Sequence, residues 1–238
     1  MQVATTSPRV APSFITKGSH FAFDGPRQFR ADARTERDIV YIVDDDVRLR
    51  EALSELLASL GRTAITFGTA AEYLAANLAD SPSCLILDML LPDMSGLDLQ
   101  RRLVPENCPP IIFISGRVDI PATVRAMKAG AVEFLTKPVC PNALETAIQA
   151  ALSQDRERRR LRSELNLLQT RFESLTPRER EVLALVARGL LNKQAAAALG
   201  ITDVTLQVHR SQVMRKMAAR SFAELVRMAE RLGIPASA

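Results

Sequence analysis

The sequence is poor in the residues that build metal–thiolate sites and disulfide frameworks. Its 238 residues include three cysteines, Cys84, Cys108 and Cys140, and two histidines, His20 and His209. The cysteines are widely separated and form neither a metal-type pair nor an even disulfide set, so we expect reduced thiols in a cytoplasmic protein. With so few histidines, a metal-binding or proton-relay role for His209 is disfavoured.

Long apolar segments are also absent. No apolar run approaches the roughly 18 residues that are needed to span a bilayer. The first residues lack the basic-then-apolar order of a secretory signal, so we expect no membrane association. Residues 1–37 contain scattered Pro, Ser, Thr and Arg without a sustained period, and we predict a disordered extension there.

The charge that is present is divided unevenly along the chain. The net charge of +4 combines an acidic and a basic part. Residues 38–152 hold 9 basic and 15 acidic residues, a net charge of −6, whereas residues 176–238 hold 10 basic and 5 acidic residues, a net charge of +5. This asymmetry suggests that one part binds a cation and the other meets a polyanion.

Apolar runs alternate with helical patterns five times between residues 38 and 152. The runs are IVYIV, TAITF, CLILD, PIIFIS and VEFLT, and each precedes a segment with helical spacing of apolar residues. The second of these segments is predicted to be a helix over residues 69–79. Five such repeats indicate an α/β domain with a doubly wound five-stranded parallel sheet and helices on both faces.

Two further segments follow this domain. Residues 153–174 are charged, lack Gly and Pro, and are predicted to continue the fifth helix as a helical linker. Leu161, Leu165, Leu168 and Phe172 recur there at spacings of three and four, which fits a short coiled-coil seam and a solvated spacer helix equally well. Residues 175–238 contain four short helical patterns and are predicted to form a small all-α domain.

Polar side chains stand where four of the predicted strands end. Asp44 and Asp45 follow strand one, Asp88 ends strand three, Ser115 ends strand four, and Lys137 follows strand five. Because functional sites in open parallel sheets lie beyond the carboxyl ends of the strands, we expect these side chains to converge.

The residue types at this edge suggest phosphoryl chemistry. Clustered carboxylates repel one another, and Mg²⁺, which prefers oxygen ligands, relieves that repulsion. A carboxylate also acts as a nucleophile toward phosphorus and forms an aspartyl-phosphate. The metal and Lys137 would neutralise charge on the phosphoryl oxygens, and Ser115 would donate a hydrogen bond to one of them.

These residues resemble the receiver domain of bacterial two-component response regulators over residues 38–152. The match consists of the acidic pair after strand one, Asp88 followed by "PDMSG", the serine after strand four and "KP" after strand five. The resemblance implies a flavodoxin-like strand order of 2-1-3-4-5 and a cis Lys137–Pro138 bond. It also implies that a sensor histidine kinase phosphorylates Asp88.

The resemblance gives each matched position a role. The implied Mg²⁺ ligands are Asp44, Asp45, Asp88 and the backbone carbonyl of Leu90. The implied switch pair is Ser115 and Phe134, and the implied phosphoryl contact is Lys137. In the family the position of Leu90 also tunes hydrolysis, and its apolar side chain is unable to orient an attacking water, so only slow self-dephosphorylation is expected.

The third helix of the small domain is predicted to have one inward and one outward side. A helical wheel places Leu206, Val213, Met214 and Met217 together. The opposite side carries the apolar Val208 among small and hydrogen-bonding residues, which suits base edges and thymine methyl groups in a major groove. The predicted contacts with double-stranded DNA are Lys193, Thr205, Gln207, Val208, Arg210, Ser211, Arg215 and Lys216.

A second resemblance covers about residues 175–234. "LTPREREVL", "GLLNK" and "VHR" resemble the LuxR-type helix-turn-helix domain, and a receiver in front of it is typical of the NarL/FixJ family. One departure is Gln207, where the family often has a basic residue or glutamate. The implied protein is a transcription regulator that dimerises on phosphorylation and then binds paired half-sites in DNA.

Two alternatives compete with this interpretation. An aspartyl-phosphate-forming phosphatase similar to the haloacid dehalogenase group would need a second Asp two residues after the nucleophile. Leu90 stands at that position, so an enzyme is disfavoured. A receiver with an inert helical tail is disfavoured by the mixed polar and apolar face around Val208.

Overall fold

The computed structural model describes residues 38–103, 108–117 and 119–234. The predicted N-terminal extension, residues 1–37, lies outside the described residues. Among the described residues, no helix is both long enough and apolar enough to cross a membrane.

The described strands form one parallel sheet with the order β2-β1-β3-β4-β5, which confirms the predicted fold class. β1, β3 and β4 are buried on both faces, as their continuous apolar sequences require. The edge strands β2 and β5 are partly exposed. The strands are β1 (Ile39–Val43), β2 (Thr63–Phe67), β3 (Ser83–Asp88), β4 (Ile111–Ser115) and β5 (Glu133–Thr136).

Helices cover both faces of the sheet and give it two apolar layers. α1 and α5 pack over Val40, Ile42 and Ile86, whereas α2, α3 and α4 pack over Tyr41 and Phe113. Because side chains alternate along a strand, each central strand contributes to both layers. The helices are α1 (Val47–Ser59), α2 (Ala70–Ala75), α3 (Gly96–Arg102), α4 (Ile120–Lys128) and α5 (Pro141–Glu173).

α2 is shorter than predicted. The apolar spacing predicted a helix over residues 69–79, but the helix ends at Ala75 and Ala76 adopts extended backbone with φ −73° and ψ 141°. Beyond it, the amide of Ala79 donates to the buried hydroxyl of Tyr41 over 3.1 Å. A tertiary hydrogen bond thus replaces the helical continuation that local propensity favours.

α5 is one helix of 33 residues, so the linker continues the fifth helix as predicted. Leu161, Leu165, Leu168 and Phe172, the apolar stripe of the linker, form neither a coiled-coil seam nor a solvated surface along their whole length. Leu168 is buried and Phe172 packs beside it in the core of the C-terminal helices, whereas Leu161 is 46% exposed. The C-terminal half of the stripe therefore serves packing within the chain.

Four helices follow α5 and share one apolar core. They are α6 (Pro177–Ala187), α7 (Asn192–Leu199), α8 (Asp203–Met217) and α9 (Phe222–Arg231). α6 begins with the predicted capping box, in which Thr176 and Glu179 exchange hydrogen bonds between side chain and backbone. Gly200 adopts a left-handed conformation with φ 64° and separates α7 from α8 by a tight turn.

The turn from β3 into α3 depends on close approach at Gly96. A Cβ atom at this position would lie 2.4 Å from the carbonyl oxygen of Asp88 and 3.0 Å from the Phe113 ring. The amide of Gly96 donates to the carbonyl of Met89 over 3.0 Å. A hydrogen in place of a side chain thus lets the start of α3 lie against the end of β3.

We expect Gly96→Ala to lower the free energy of unfolding by about 1–3 kcal/mol, because a methyl group has no space between β3 and Phe113. The control is Gly116→Ala, since a Cβ at Gly116 meets no atom within 4 Å. Urea unfolding of both variants measures the difference. Equal stability of the two variants would show that the turn relaxes without cost.

Candidate functional site

Three carboxylates converge at the carboxyl edge of the sheet. Asp44 directly follows β1, Asp88 ends β3, and Asp45 is the next residue after Asp44. One oxygen from each of the three lies within 4.8 Å of the others. Asp44 and Asp88 are buried, whereas Asp45 is exposed. The strand-end convergence predicted from the sequence is therefore present.

The ammonium of Lys137 lies between the two buried carboxylates. Its Nζ donates to Oδ2 of Asp44 over 2.7 Å and to Oδ2 of Asp88 over 2.5 Å. Lys137 follows β5, and the bond from Lys137 to Pro138 is cis, as the family resemblance implies. This pairing supplies the counter-charge that a buried carboxylate requires.

The ionisation of this cluster reflects burial and pairing together. Burial raises the pKa of Asp44 above its usual value, against the opposing effect of its hydrogen bond with Lys137. Burial alone would lower the pKa of Lys137, but its hydrogen bonds with Asp44 and Asp88 raise that pKa overall. Lys137 is therefore held as a cation.

Backbone amides orient the remaining carboxylate oxygens. Oδ1 of Asp44 accepts from the amide of Asp46 over 2.9 Å, and Oδ1 of Asp88 accepts from the amide of Leu90 over 3.1 Å. The backbone at Leu90 thus lies against the Asp88 carboxylate, while the Leu90 side chain is 62% exposed. The role of the Leu90 carbonyl as a metal ligand stays a prediction.

The donor set fits a magnesium ion. Three carboxylate oxygens lie close together with the backbone at Leu90 beside them, and Mg²⁺ takes oxygen ligands while keeping several waters. Asp45 is exposed and leaves room for such waters on its side.

Ser115, at the end of β4, and Phe134, on β5, contact partners other than the carboxylates. The buried Ser115 hydroxyl donates to the Arg117 carbonyl over 2.8 Å and accepts from the Arg117 amide over 3.2 Å. The half-buried Phe134 ring stacks on Phe113 with a centroid distance of 6.4 Å. The Ser115 hydroxyl thus makes its hydrogen bonds within the loop that follows β4.

Two further residues, which the sequence pattern alone does not reveal, support the loops around the site. The Arg50 guanidinium donates to the backbone carbonyl of Asp44. The Asp93 carboxylate accepts from the amides of Ala70 and Ala71, at the start of α2. Asp93 belongs to the "PDMSG" motif, but the motif alone does not reveal which helix it meets.

α8 has the two sides predicted from the helical wheel. Leu206, Val213 and Met217 are buried in the core of the C-terminal helices. On the other side, Val208 is 56% exposed and Val204 is 71% exposed. The predicted contacts on this outward surface that are exposed to solvent are Thr205, Gln207, Ser211 and Arg215.

Two of the predicted DNA contacts also have partners within the domain. Arg210 donates to Oδ1 of Asn192 over 2.6 Å and lies 4.7 Å from the centroid of the Phe222 ring. Lys216 donates to Oε2 of Glu179 over 2.6 Å and to the Ser174 carbonyl over 3.2 Å.

The contact of Lys216 with a DNA phosphate stays a prediction, but the residue also has partners within the domain. Its ammonium pairs with Glu179, whose side chain is only 7% exposed, and so ties the end of α8 to the start of α6. A helical wheel places Lys216 on the surface because it does not include partners from other helices. Lys193, on α7, is exposed as a phosphate contact requires.

Two segments of the chain match known protein families. Residues 40–149 match the response regulator receiver domain. Residues 173–229 match the luxR family of bacterial regulatory proteins.

Longer matches span more of the chain than either segment alone. Nodulation protein W of Bradyrhizobium diazoefficiens is 49% identical over 200 residues, which are 84% of this chain and 88% of that protein. Response regulator protein TodT of Pseudomonas putida is 46% identical over 196 residues, 82% of this chain and 86% of that protein. The solved structure of the response regulator StyR is 46% identical, covers 82% of this chain and 99% of its own, and has a TM-score of 0.74.

We expect Lys216→Ala to destabilise the C-terminal helices by about 1–2 kcal/mol, because it leaves the buried Glu179 carboxylate without its cationic partner. Burial raises the pKa of Glu179, but the hydrogen bonds from Lys216 and Thr176 lower it overall. The pair thus contributes stability above the ordinary carboxyl pKa and loses it as the pH falls through the lowered pKa.

Urea unfolding of the wild type and Lys216→Ala at neutral and acidic pH measures this contribution. The difference between the two proteins should shrink in acid. Arg215→Ala is the matched control, since Arg215 is exposed and donates to Gln212 on the same helix. Unchanged stability of Lys216→Ala would contradict the structural role, and weaker binding of that variant to every DNA sequence would assign Lys216 to a phosphate contact alone.

Proposed function

The chain belongs to the NarL/FixJ family of two-component response regulators, which join a receiver to a LuxR-type DNA-binding domain, and we propose that phosphorylation of Asp88 controls its binding to DNA. The observation that carries this proposal is the contact of Lys137 with both Asp44 and Asp88. The proposed domains are a receiver (38–152), a helical linker (153–174) and a DNA-binding domain (175–238), preceded by an extension (1–37).

The proposed reaction transfers a phosphoryl group from a sensor histidine kinase. A carboxylate oxygen of Asp88 attacks phosphorus, the bond between phosphorus and the kinase histidine breaks, and the electron pair leaves with the imidazole. Lys137 neutralises charge on the phosphoryl oxygens as they arrive. Mg²⁺, held by Asp44, Asp45, Asp88 and the Leu90 carbonyl, supplies further charge neutralisation when bound.

Ser115 and Phe134 are proposed to report the phosphorylated state. The Ser115 hydroxyl exchanges its contacts with Arg117 for a phosphoryl oxygen, and Phe134 moves into the space that this exchange opens. The face built from α4, β5 and α5 then rearranges. Exposed apolar side chains on α4 support a role for this face in dimerisation, namely Ile120, Val124 and Met127.

The receiver is proposed to act as a switch and not as an enzyme that turns over an external substrate. The exposed Leu90 supports this distinction, because its apolar side chain neither orients an attacking water nor acts as a general acid. The phosphoryl group is therefore expected to persist. The competing proposal of a phosphatase-like enzyme lacks the second carboxylate that it needs at that position.

The C-terminal domain is proposed to read double-stranded DNA with α8. Val208 and Gln207 face outward at the centre of the exposed side, where they would meet base edges. Lys193 and Arg215 would contact phosphates. Since one short helix reads few base pairs, two domains of a homodimer would bind paired half-sites. A regulator of chromosomal DNA would act in the cytoplasm.

We expect Asp88→Asn to abolish labelling by radioactive acetyl phosphate, because the amide is not a nucleophile toward phosphorus. Removal of Mg²⁺ with a chelator should also abolish labelling of the wild type, since the carboxylates then lack a metal to neutralise the phosphoryl charge. Asp80→Asn is the control that retains Asp88, because Asp80 precedes β3 and its side chain is fully exposed. Acid-stable label in Asp88→Asn would place the acceptor elsewhere.

We expect Val208→Ala to lower DNA affinity mainly at sites with one particular base pair, by about 1 kcal/mol or more, because an apolar contact with a base edge is lost. Lys193→Ala should instead weaken all sites alike and reduce the salt dependence by about one unit of slope. Binding to a panel of DNA variants at several salt concentrations distinguishes the two. Equal weakening of every sequence by Val208→Ala would argue against base reading.

A further inference from the structure

One carboxylate in the charged linker is completely buried. Asp155 lies on α5, three residues beyond the predicted receiver boundary, and its relative exposure is 0%. The surrounding sequence, "SQDRERRRLRSE", reads as a solvated helix surface. A fully buried carboxylate in such a stretch is unusual, because burial of a charge is costly unless it is paired and hydrogen-bonded.

Asp155 binds the receiver at the beginning of β3. Its Oδ2 accepts from the backbone amide of Ser83 over 3.0 Å and from Nε of Arg159 over 2.7 Å. Its Oδ1 accepts from Arg158. Ser83 is itself buried, so water would not replace the carboxylate as the acceptor for this amide. The linker thus supplies an acceptor to the strand that carries Asp88 at its other end.

Two neighbouring arginines of α5 also pair with acidic residues that precede β1 and β3. Arg156 donates to both oxygens of Asp38, each over 2.6 Å, directly before β1. Arg159 also pairs with Asp80, in the segment before β3. Each of these two pairs has one exposed partner, so each alone contributes little to stability. The buried Asp155 is therefore the main contact of the group.

The other end of the linker is held by the DNA-binding domain. Leu168 is buried in that domain's core. Arg171 donates to the Met217 carbonyl over 3.3 Å, and Arg231 pairs with Glu164 over 3.2 Å. Arg159, which pairs with the receiver, and Glu164, which pairs with the DNA-binding domain, lie about one and a half helical turns apart on α5.

We propose that Asp155 is a positioning residue that fixes the direction of the linker relative to the receiver, and thereby the spacing of half-sites that a dimer accepts. The inference rests on the proposed phosphorylation-dependent dimer. Receivers that pair through one face would present two DNA-binding domains at a separation set by the linker helices. Leu152 is the last residue of α5 in the receiver core, so beyond it the direction of the helix depends on Asp155 and its neighbouring ion pairs.

The test compares Asp155→Ala and Asp155→Asn with the wild type. Asparagine retains an oxygen that accepts from the Ser83 amide but loses the charge that pairs with Arg158 and Arg159. Glu157→Ala is the matched control, because Glu157 is an exposed acid on the same helical turn that pairs only with Arg160 among the described contacts. Labelling of Asp88 by acetyl phosphate verifies that each receiver is folded.

The first measurement is the rate of trypsin cleavage within the arginine-rich linker. The wild type and Glu157→Ala should resist cleavage after Arg156, Arg158 and Arg159. Asp155→Ala should be cut at least several times faster, with Asp155→Asn between the two. If the wild-type linker itself is cut as fast as an exposed loop, the linker is not fastened and the proposal is wrong, whether or not the variants fold.

The second measurement is binding to a DNA duplex selected by the phosphorylated wild-type protein, and to the same duplex with about five base pairs, half a helical turn, inserted between the half-sites. The wild type and Glu157→Ala should prefer the original spacing by about tenfold or more, and Asp155→Ala by less than about threefold. An unchanged preference in a folded Asp155→Ala would overturn the role of Asp155.

The failure of the proposed dimer has a different signature. In that case the phosphorylated wild type would bind one half-site as tightly as two and would show no spacing preference at all. Affinity for a single half-site should be equal in all four proteins, since Asp155 lies far along α5 from α8. A parallel loss of single-site affinity in Asp155→Ala would indicate a general defect in folding and would also contradict the proposal.

Discussion

The contact of one ammonium with two buried carboxylates is the interaction on which the receiver site depends. Asp44 and Asp88 come from the adjacent strands β1 and β3, and Lys137 comes from β5, beyond β4. Only a long side chain crosses β4 to reach both carboxylates, which explains a lysine at this position. The same strand order places Ser115, which ends β4, between the lysine and the carboxylates. A phosphoryl group on Asp88 would need another hydrogen-bond donor at that position.

β3 connects this site to the linker, and its register in the sheet is well defined. β3 pairs in parallel with β1 on one side and with β4 on the other, and all six of its residues are buried. A shift of register by one residue would turn the Asp88 side chain to the opposite face of the sheet, away from Asp44 and Lys137, and is therefore disfavoured. The distance between Asp88 and the Ser83 amide, at opposite ends of β3, is therefore fixed.

Much of the fold was predictable because it follows from apolar periodicity. The five strands, the continuous α5 and the inward side of α8 are each encoded by neighbouring residues. The missed contacts depend on partners that are distant in sequence. Lys216 meets Glu179 across 37 residues and Asp155 meets Ser83 across 72. A periodicity argument places such side chains on a helix face but does not show what packs against that face.

These remote contacts change the meaning of the basic charge in the C-terminal domain. Several of its cations are engaged within the protein, including Lys216 with Glu179 and Arg210 with Asn192. A cation that is paired within the domain must share or exchange that partner before it contacts a phosphate, so the net charge of +5 over residues 176–238 is an upper limit on phosphate contacts. Because each phosphate contact adds to affinity and to its salt dependence, we expect one domain alone to bind DNA less tightly than its net charge suggests. Under the proposed function, pairing of two such domains would make up this difference, and the phosphorylated receiver would control that pairing.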